Sequence, residues 1–226
     1  MIGARYDGVA DWYDETLATS PLGVGGRDVV LRLLGRGPGR LLDSCCGGGS
    51  HMVAFAGAGW SPVGVDVSED QMRLARARGC EVVRADAAAL PFADGSFDAA
   101  VSMWTHTDVD DFPAVLLELA RVLRNGAPLV HLGAHPCFVG PHSRFVEGRG
   151  IPELHAGYGA VWRYSEAPGI SPTGLRARVG AVHLPLGELL QAFLDAGFRL
   201  ARVEESGVGL LRDYPIALAL RAVASR

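Results

Sequence analysis

Asp43, the glycine block Gly47, Gly48 and Gly49, and Asp66 have the types and spacing of a ligand-binding turn followed by a distant acid. The glycines let the backbone approach a ligand that side chains would block. An acid one βα unit further on can accept hydrogen bonds from both hydroxyls of a ribose. Asp43, ahead of the turn, would repel a pyrophosphate and suits a cationic group instead. The glycines form one block rather than G-x-G-x-x-G, and no lysine occurs anywhere in the chain. A dinucleotide turn and a P-loop are both excluded on those grounds.

Histidine is the other residue type placed for chemistry. His106 follows the fourth predicted strand and His135 the fifth, and open α/β sheets bind ligands beyond the carboxyl ends of their strands. These two are the expected general base, or the residue that orients an acceptor. His131 lies inside the fifth strand and is read as a packed core residue. His51 opens the helix after the glycine turn and is read as satisfying a helix terminus. Asp108, Asp110 and Asp111 are read as helix caps and dipole partners. Two of the four cysteines are adjacent and no C-x-x-C pair occurs, so no metal is expected.

The elements that must position these groups alternate. Apolar runs at 40–43, 63–66, 81–84, 97–103 and 128–132 read as strands buried on both faces. Ser68 with Gln71 makes a capping box opening a helix to about Arg78, stopped by Gly79. Asp111 caps a helix whose apolar face carries Val115, Leu116, Leu119, Val122 and Leu123, ended by Asn125 and Gly126. Such alternation predicts a parallel sheet with right-handed crossovers. A helix at 185–196 and strands at 198–204 and 214–223 complete the chain. Between 135 and 183 the rhythm breaks into a Gly- and Pro-rich stretch that carries Phe138, Phe145, Tyr158, Trp162 and Tyr164. Its aromatics argue for an ordered lid over an acceptor site rather than for disorder. Trp104, Trp162 and Tyr164 are candidates to stack a flat substrate or to fill core beneath the lid.

Taken in order, these motifs resemble the class I S-adenosylmethionine-dependent methyltransferases. Asp43, Gly47 and Gly49 match that family's first motif, with Cys45 standing where its first glycine usually falls. Asp66 matches the ribose-binding acid, and Arg84, Ala85, Asp86 and Ala87 look like the adenine-side motif. Tyr6 through Asp14 is similar to a leading helix that closes over the cofactor. Tyr6 and Tyr13 are expected on one face of that helix. The resemblance implies S-adenosylmethionine as cofactor, held by Tyr6, Tyr13, Asp43, Cys45, Gly47, Gly49, Asp66, Val67, Met72, Asp86, Ala87 and Met103. It implies a Rossmann-like, doubly wound seven-stranded α/β sheet, mostly parallel with the last strand antiparallel, plus a lid insertion after the fifth strand. The whole chain is expected to be a single domain, with residues 1–26 as an N-terminal cap.

The implied reaction is methyl transfer to an O, N or C nucleophile of a small-molecule metabolite, planar or aromatic in part. Ser102, Met103, Trp104 and Thr105 stand where an Asn-Pro-Pro-Tyr motif would mark a base or amide acceptor. A SAM-binding fold with another reaction, such as a cyclisation or elimination, and a non-catalytic scaffold remain the alternatives. With 226 residues and a formal charge of −4, the chain suits one α/β core and lacks the basic face of a nucleic-acid enzyme. No membrane-span-length apolar run and no signal-like start occur, so a cytoplasmic, non-membrane protein is expected.

Overall fold

The computed structural model describes residues 4–18, 20–145, 151–206 and 213–225. Part of the expected insertion (146–150) and the very start of the expected cap therefore lie outside the described residues. Seven strands form the main sheet. They are β1 (Arg40–Ser44), β2 (Ser61–Asp66), β3 (Glu81–Arg84), β4 (Ala99–Met103), β5 (Pro128–Ala134), β10 (Phe198–Ser206) and β11 (Ala217–Ala224). Their spatial order is β10-β11-β5-β4-β1-β2-β3. Only β11 runs against its neighbours, pairing antiparallel with both β5 and β10. The order reverses at β1, which lies between β2 and β4. That switch point is where an open sheet leaves a crevice at its carboxyl edge.

The sheet is buried on both faces. Consecutive Leu41 and Leu42 are each fully buried, yet they join different core clusters because neighbouring strand side chains point to opposite faces. One cluster takes Leu42 with Phe112, Leu116 and Leu119 of α5 (Phe112–Val122) and Phe193 of α7 (Leu186–Asp195). The other takes Leu41 with Val30 and Leu33 of α2 (Pro21–Leu34) and Phe55 of α3 (Ser50–Gly57).

Of the expected caps, Asp111 and Ser68 serve as read, whereas Asp108 and Asp110 hold arginines instead, Asp108 pairing with Arg176 and Asp110 with Arg5 and Arg163. Asp111 accepts the Ala114 N–H at 2.9 Å and opens α5. Ser68 Oγ accepts the Gln71 N–H at 3.2 Å and opens α4 (Glu69–Ala77). The reciprocal half of the expected box is absent, because the Ser68 N–H donates to Asp66 Oδ1 at 2.9 Å.

The N-terminal segment is helical over only one turn, α1 (Ala10–Tyr13), continued by a wider turn over Asp14–Ala18. Tyr6 precedes that helix, so the expected two turns between Tyr6 and Tyr13 are not formed. The rings still meet edge to face, 5.3 Å apart. After β5 the insertion contains two short ladders, β6 (Ser143–Phe145) with β7 (Pro152–Leu154) and β8 (Arg163–Tyr164) with β9 (Ala181–Val182). A short helix, α6 (Leu175–Val179), which the sequence did not suggest, lies between β8 and β9. No described helix is long and apolar enough to cross a membrane.

Candidate cofactor and acceptor site

The turn after β1 is held from two sides. Cys45 (φ 59°), Gly47 (φ 53°) and Gly49 (φ 74°) all occupy the left-handed region, which is why glycine dominates there. Asp66, at the end of β2, accepts the Gly47 N–H at 2.9 Å through Oδ2 while its other oxygen caps Ser68. Burial pushes the Asp66 carboxyl up, and the backbone N–H groups around it pull the other way. Arg78 donates to Gly48 O at 2.6 Å and also pairs with Asp14 of the N-terminal segment.

Three adjoining cavities open around this turn and share Tyr13 and Trp104 as wall residues. One of about 190 Å³ lies along the ends of β2 and β4, against Asp66, Val67, Gln71, Asp86, Ala87 and Met103. A small one of about 40 Å³ lies under the turn, against Asp43, Cys45, Gly47 and His51. The largest, about 730 Å³, is enclosed by the insertion and the N-terminal segment. Trp104 reaches all three from a left-handed backbone (φ 62°), its N–H bonded to Leu132 O at 2.6 Å.

Most of the expected cofactor residues meet here. Tyr6, Tyr13, Cys45, Gly47, Asp66, Val67, Asp86, Ala87 and Met103 line the 190 Å³ cavity, and Asp43 the small one beside it. Asp86 also takes the capping role weighed for it, accepting the Ala88 N–H at 2.9 Å. Two expected residues do not reach the walls. Met72 is fully buried in the core, and the neighbouring Gln71 faces the cavity in its place. Gly49 is enclosed instead, since a Cβ there would lie 3.0 Å from Ala75 Cβ and Cys80 Sγ.

Neither expected catalytic histidine lines any of the three cavities. His106 turns beneath the sheet edge, where its Nδ1 lies 3.2 Å from Nε2 of His131, and burial holds its pKa well below the usual range. It is packed against Gly133, where a Cβ would lie only 2.2 Å from the His106 ring. His135 turns toward β10, where its Nε2 is 2.6 Å from Glu205 Oε1. Their positions after strands were read correctly, but their side chains leave the crevice. His131 is the packed core residue expected, set against Phe112 and Phe193, with burial lowering its pKa to about 3.

Among the stacking candidates, Trp104 and Tyr164 line the 730 Å³ cavity, whereas Trp162 is 53% exposed and lines none of the three. His51, read from sequence as a helix-terminus residue, lines both the small and the large cavity. No local sequence signal marks that position, because the opposite wall comes from the distant insertion.

The wall chemistry selects a kind of ligand. Asp66, Asp86, Asp108, Asp110 and Asp111 line the 190 Å³ cavity. Asp108 is paired with Arg176 and Asp110 with Arg5 and Arg163, which leaves Asp66, Asp86 and Asp111 as the acidic groups with no ion pair among the described residues. An anionic phosphate ligand would meet net repulsion, whereas a cationic nucleoside would not. Gln71 Oε1 is buried without a partner among the described residues and lies in this wall, an acceptor awaiting a donor. Asp43 is fully enclosed and its pKa is raised to about 8 by burial and then by the neighbouring Asp66. A cation beside it would favour ionisation. Acceptors at the Asp66 end, an enclosed carboxyl at the Asp43 end and apolar Val67 and Ala87 between them fit S-adenosylmethionine.

Comparison with known proteins agrees with this geometry. Residues 42–131 match the family described as a methyltransferase domain. The demethylmenaquinone methyltransferase of Renibacterium salmoninarum is 34% identical over 143 residues, 61% of this chain and 60% of that protein. The enzyme of the same name from Mycobacterium sp. strain KMS is 38% identical over 132 residues, 57% of each chain. The match thus spans about 60% of the length of these curated relatives. An S-adenosylmethionine-dependent methyltransferase from Mesorhizobium loti superposes with TM-score 0.72 and 24% identity, over 92% of this chain and 99% of its own.

Proposed function

We propose that this chain, which matches a methyltransferase domain over residues 42–131 and shares its fold with S-adenosylmethionine-dependent methyltransferases, is itself such an enzyme and transfers a methyl group to a small molecule held in the 730 Å³ cavity. The observation that carries the proposal is the adjoining pair of cavities, one acidic and fitted to a cationic nucleoside, the other larger and apolar. They meet at Tyr6, Tyr13, Trp104 and Asp108.

When bound, S-adenosylmethionine supplies a methyl carbon already activated by a positive sulfur. The protein's task is then chiefly alignment and exclusion of water. Asp66 would accept hydrogen bonds from the ribose hydroxyls with the lone pairs left free by Gly47 and Ser68. Asp43 would face the cationic amino-acid end. Tyr6 and Tyr13 cover the junction from the N-terminal side, with the Tyr6 hydroxyl donating to Asp108 Oδ2 at 3.1 Å.

Phe138, Phe145, Ile170 and Ile216 give the acceptor cavity an apolar body, and Ser143, Thr107 and Arg176 add polar points on its wall. Such a wall suits an acceptor with a planar or apolar frame and a few polar groups. The relatives' name makes demethylmenaquinone the first acceptor to try.

The test is incubation with methyl-labelled S-adenosylmethionine and a short-chain, dithionite-reduced demethylmenaquinone, following label transfer and release of S-adenosylhomocysteine. Transfer supports the reading. Tight cofactor binding without transfer would favour a non-methylating reaction, and no cofactor binding would favour a scaffold.

A further inference from the structure

We propose that His51 accepts the proton that the methyl acceptor releases, and so faces the nucleophile at the junction of the cofactor turn and the acceptor cavity. The inference rests on the methyl-transfer reading above and names a residue that reading does not require.

Three observations converge on His51. It lines both the small cavity beneath the glycine turn, shared with Asp43, and the large acceptor cavity. It stands in the first turn of α3, directly after the turn that would seat the methionine end of the cofactor. Its ring makes no hydrogen bond to another described residue.

Other titratable groups lining these two cavities are paired or held protonated, among them the thiols of Cys45 and Cys46 and the phenol of Tyr164, all pushed up by burial. Asp108 accepts from the Tyr6 hydroxyl and pairs with Arg176. Asp14 pairs with Arg78. Burial pushes the phenols of Tyr6 and Tyr13 up, that of Tyr13 to about 12, so both stay protonated near neutral pH. Asp43 is buried under the turn and lines only the small cavity. Burial, then Arg27 on α2, lowers His51 to about 4, so its ring is neutral and carries a free lone pair at neutral pH.

The chemistry balances without a further reactant. The acceptor's X–H bond breaks as the X–CH3 bond forms and the carbon–sulfur bond gives its electron pair to sulfur. The cationic sulfur becomes a neutral thioether, and the proton goes to His51 and then to solvent. For an aromatic carbon nucleophile, His51 takes the ring hydroxyl's proton as the C–CH3 bond forms. The resulting keto tautomer then loses its ring C–H proton to solvent and regains a proton on oxygen, restoring the aromatic ring. A base this weak suits an acidic hydroxyl of phenol or enol type rather than an aliphatic alcohol.

The experiment compares wild type, His51→Ala and His51→Gln, with cofactor affinity read by calorimetry and turnover read on dithionite-reduced short-chain demethylmenaquinone and on 1-naphthol. The expected result is cofactor affinity within about threefold of wild type in both variants, with kcat lower by about 10²–10⁴-fold in both. Added imidazole should restore at least about tenfold in His51→Ala, because it replaces the missing proton acceptor. Glutamine fills the space but takes no proton at neutral pH, so near-normal kcat in His51→Gln would mark a packing role and overturn the proposal. So would kcat within about threefold of wild type in both variants, or a loss that imidazole leaves untouched. A wild type that binds cofactor but turns over neither probe would overturn this inference together with its parent reading. Turnover by wild type and variants alike would overturn the inference alone.

Discussion

Asp66 Oδ2 accepts the Gly47 N–H at 2.9 Å, so the acid that ends β2 also fixes the glycine turn that follows β1. One carboxylate thereby shapes the backbone cradle and faces the cavity beside it. The two roles predict a double deficit on removal. In Asp66→Ala the Gly47 and Ser68 N–H groups lose their acceptor and the ligand's hydroxyls lose theirs. Each unmet buried donor costs on the order of 1–3 kcal/mol. Calorimetry should show S-adenosylmethionine affinity reduced at least about tenfold, and thermal melts a lower Tm. Unchanged affinity would remove Asp66 from the site.

Asp43 predicts a pH dependence of stability. Its folded pKa is raised to about 8, against 3.8 for the free group. Between these values the native state holds a proton that the unfolded chain has lost. The free energy of unfolding therefore falls as pH rises through that window, with a slope approaching about 1.4 kcal/mol per pH unit. Asp43→Asn should flatten that slope in ligand-free protein, most clearly above the histidine range, while weakening cofactor binding. Urea melts at several pH values are the check. Parallel wild-type and variant curves would contradict it.

His106 and His131 predict the opposite sign at lower pH. Both are held neutral by burial, His131 down to about 3. Below the usual histidine value of about 6.5 the unfolded chain binds protons that the native state does not. Stability is therefore lost as pH falls from about 6.5 toward 3. Because His106 is away from the cavities, His106→Ala should lower Tm and keep cofactor affinity and turnover per folded molecule. A large loss of kcat in folded His106→Ala would return it to the chemistry.

The insertion predicts a protection pattern. Arg163 donates to Asp110 Oδ1 at 2.7 Å and to the Asp108 carbonyl at 2.6 Å, and Arg176 pairs with Asp108, which also receives the Tyr6 hydroxyl. The insertion and the N-terminal segment thus grip one loop after β4. Trypsin, which here can cut only after arginine, should cleave at Arg163 and Arg176 more slowly when S-adenosylhomocysteine is bound. Equal cleavage with and without it would mean the insertion does not respond to the site.

What the sequence made legible, and what it hid, has a common cause. Asp43, Gly47 and Asp66 could be read because a strand, a turn and the next strand fix one another over a short stretch of chain. Gln71 was missed by one position. Its backbone N–H forms the cap with Ser68, so its side chain was assigned to the box, yet Asp66 takes the Ser68 N–H and frees Gln71 to face the cavity. Met72, about 100° further round the helix, turns into the core. His106 and His135 stand after the expected strands, but a position at a strand end does not set the direction of a side chain. His51 gains the acceptor-cavity wall opposite it only from the insertion, and that wall is made by tertiary packing.

The most direct measurement is calorimetric titration of the full chain with S-adenosylmethionine, with S-adenosylhomocysteine, and with NAD as a control nucleotide of opposite charge character. The account predicts saturable one-to-one binding of the first two, weakened in Asp66→Ala and in Asp43→Asn, and no binding of NAD to the acidic cavity. Absence of S-adenosylmethionine binding, or binding of NAD in its place, would contradict it.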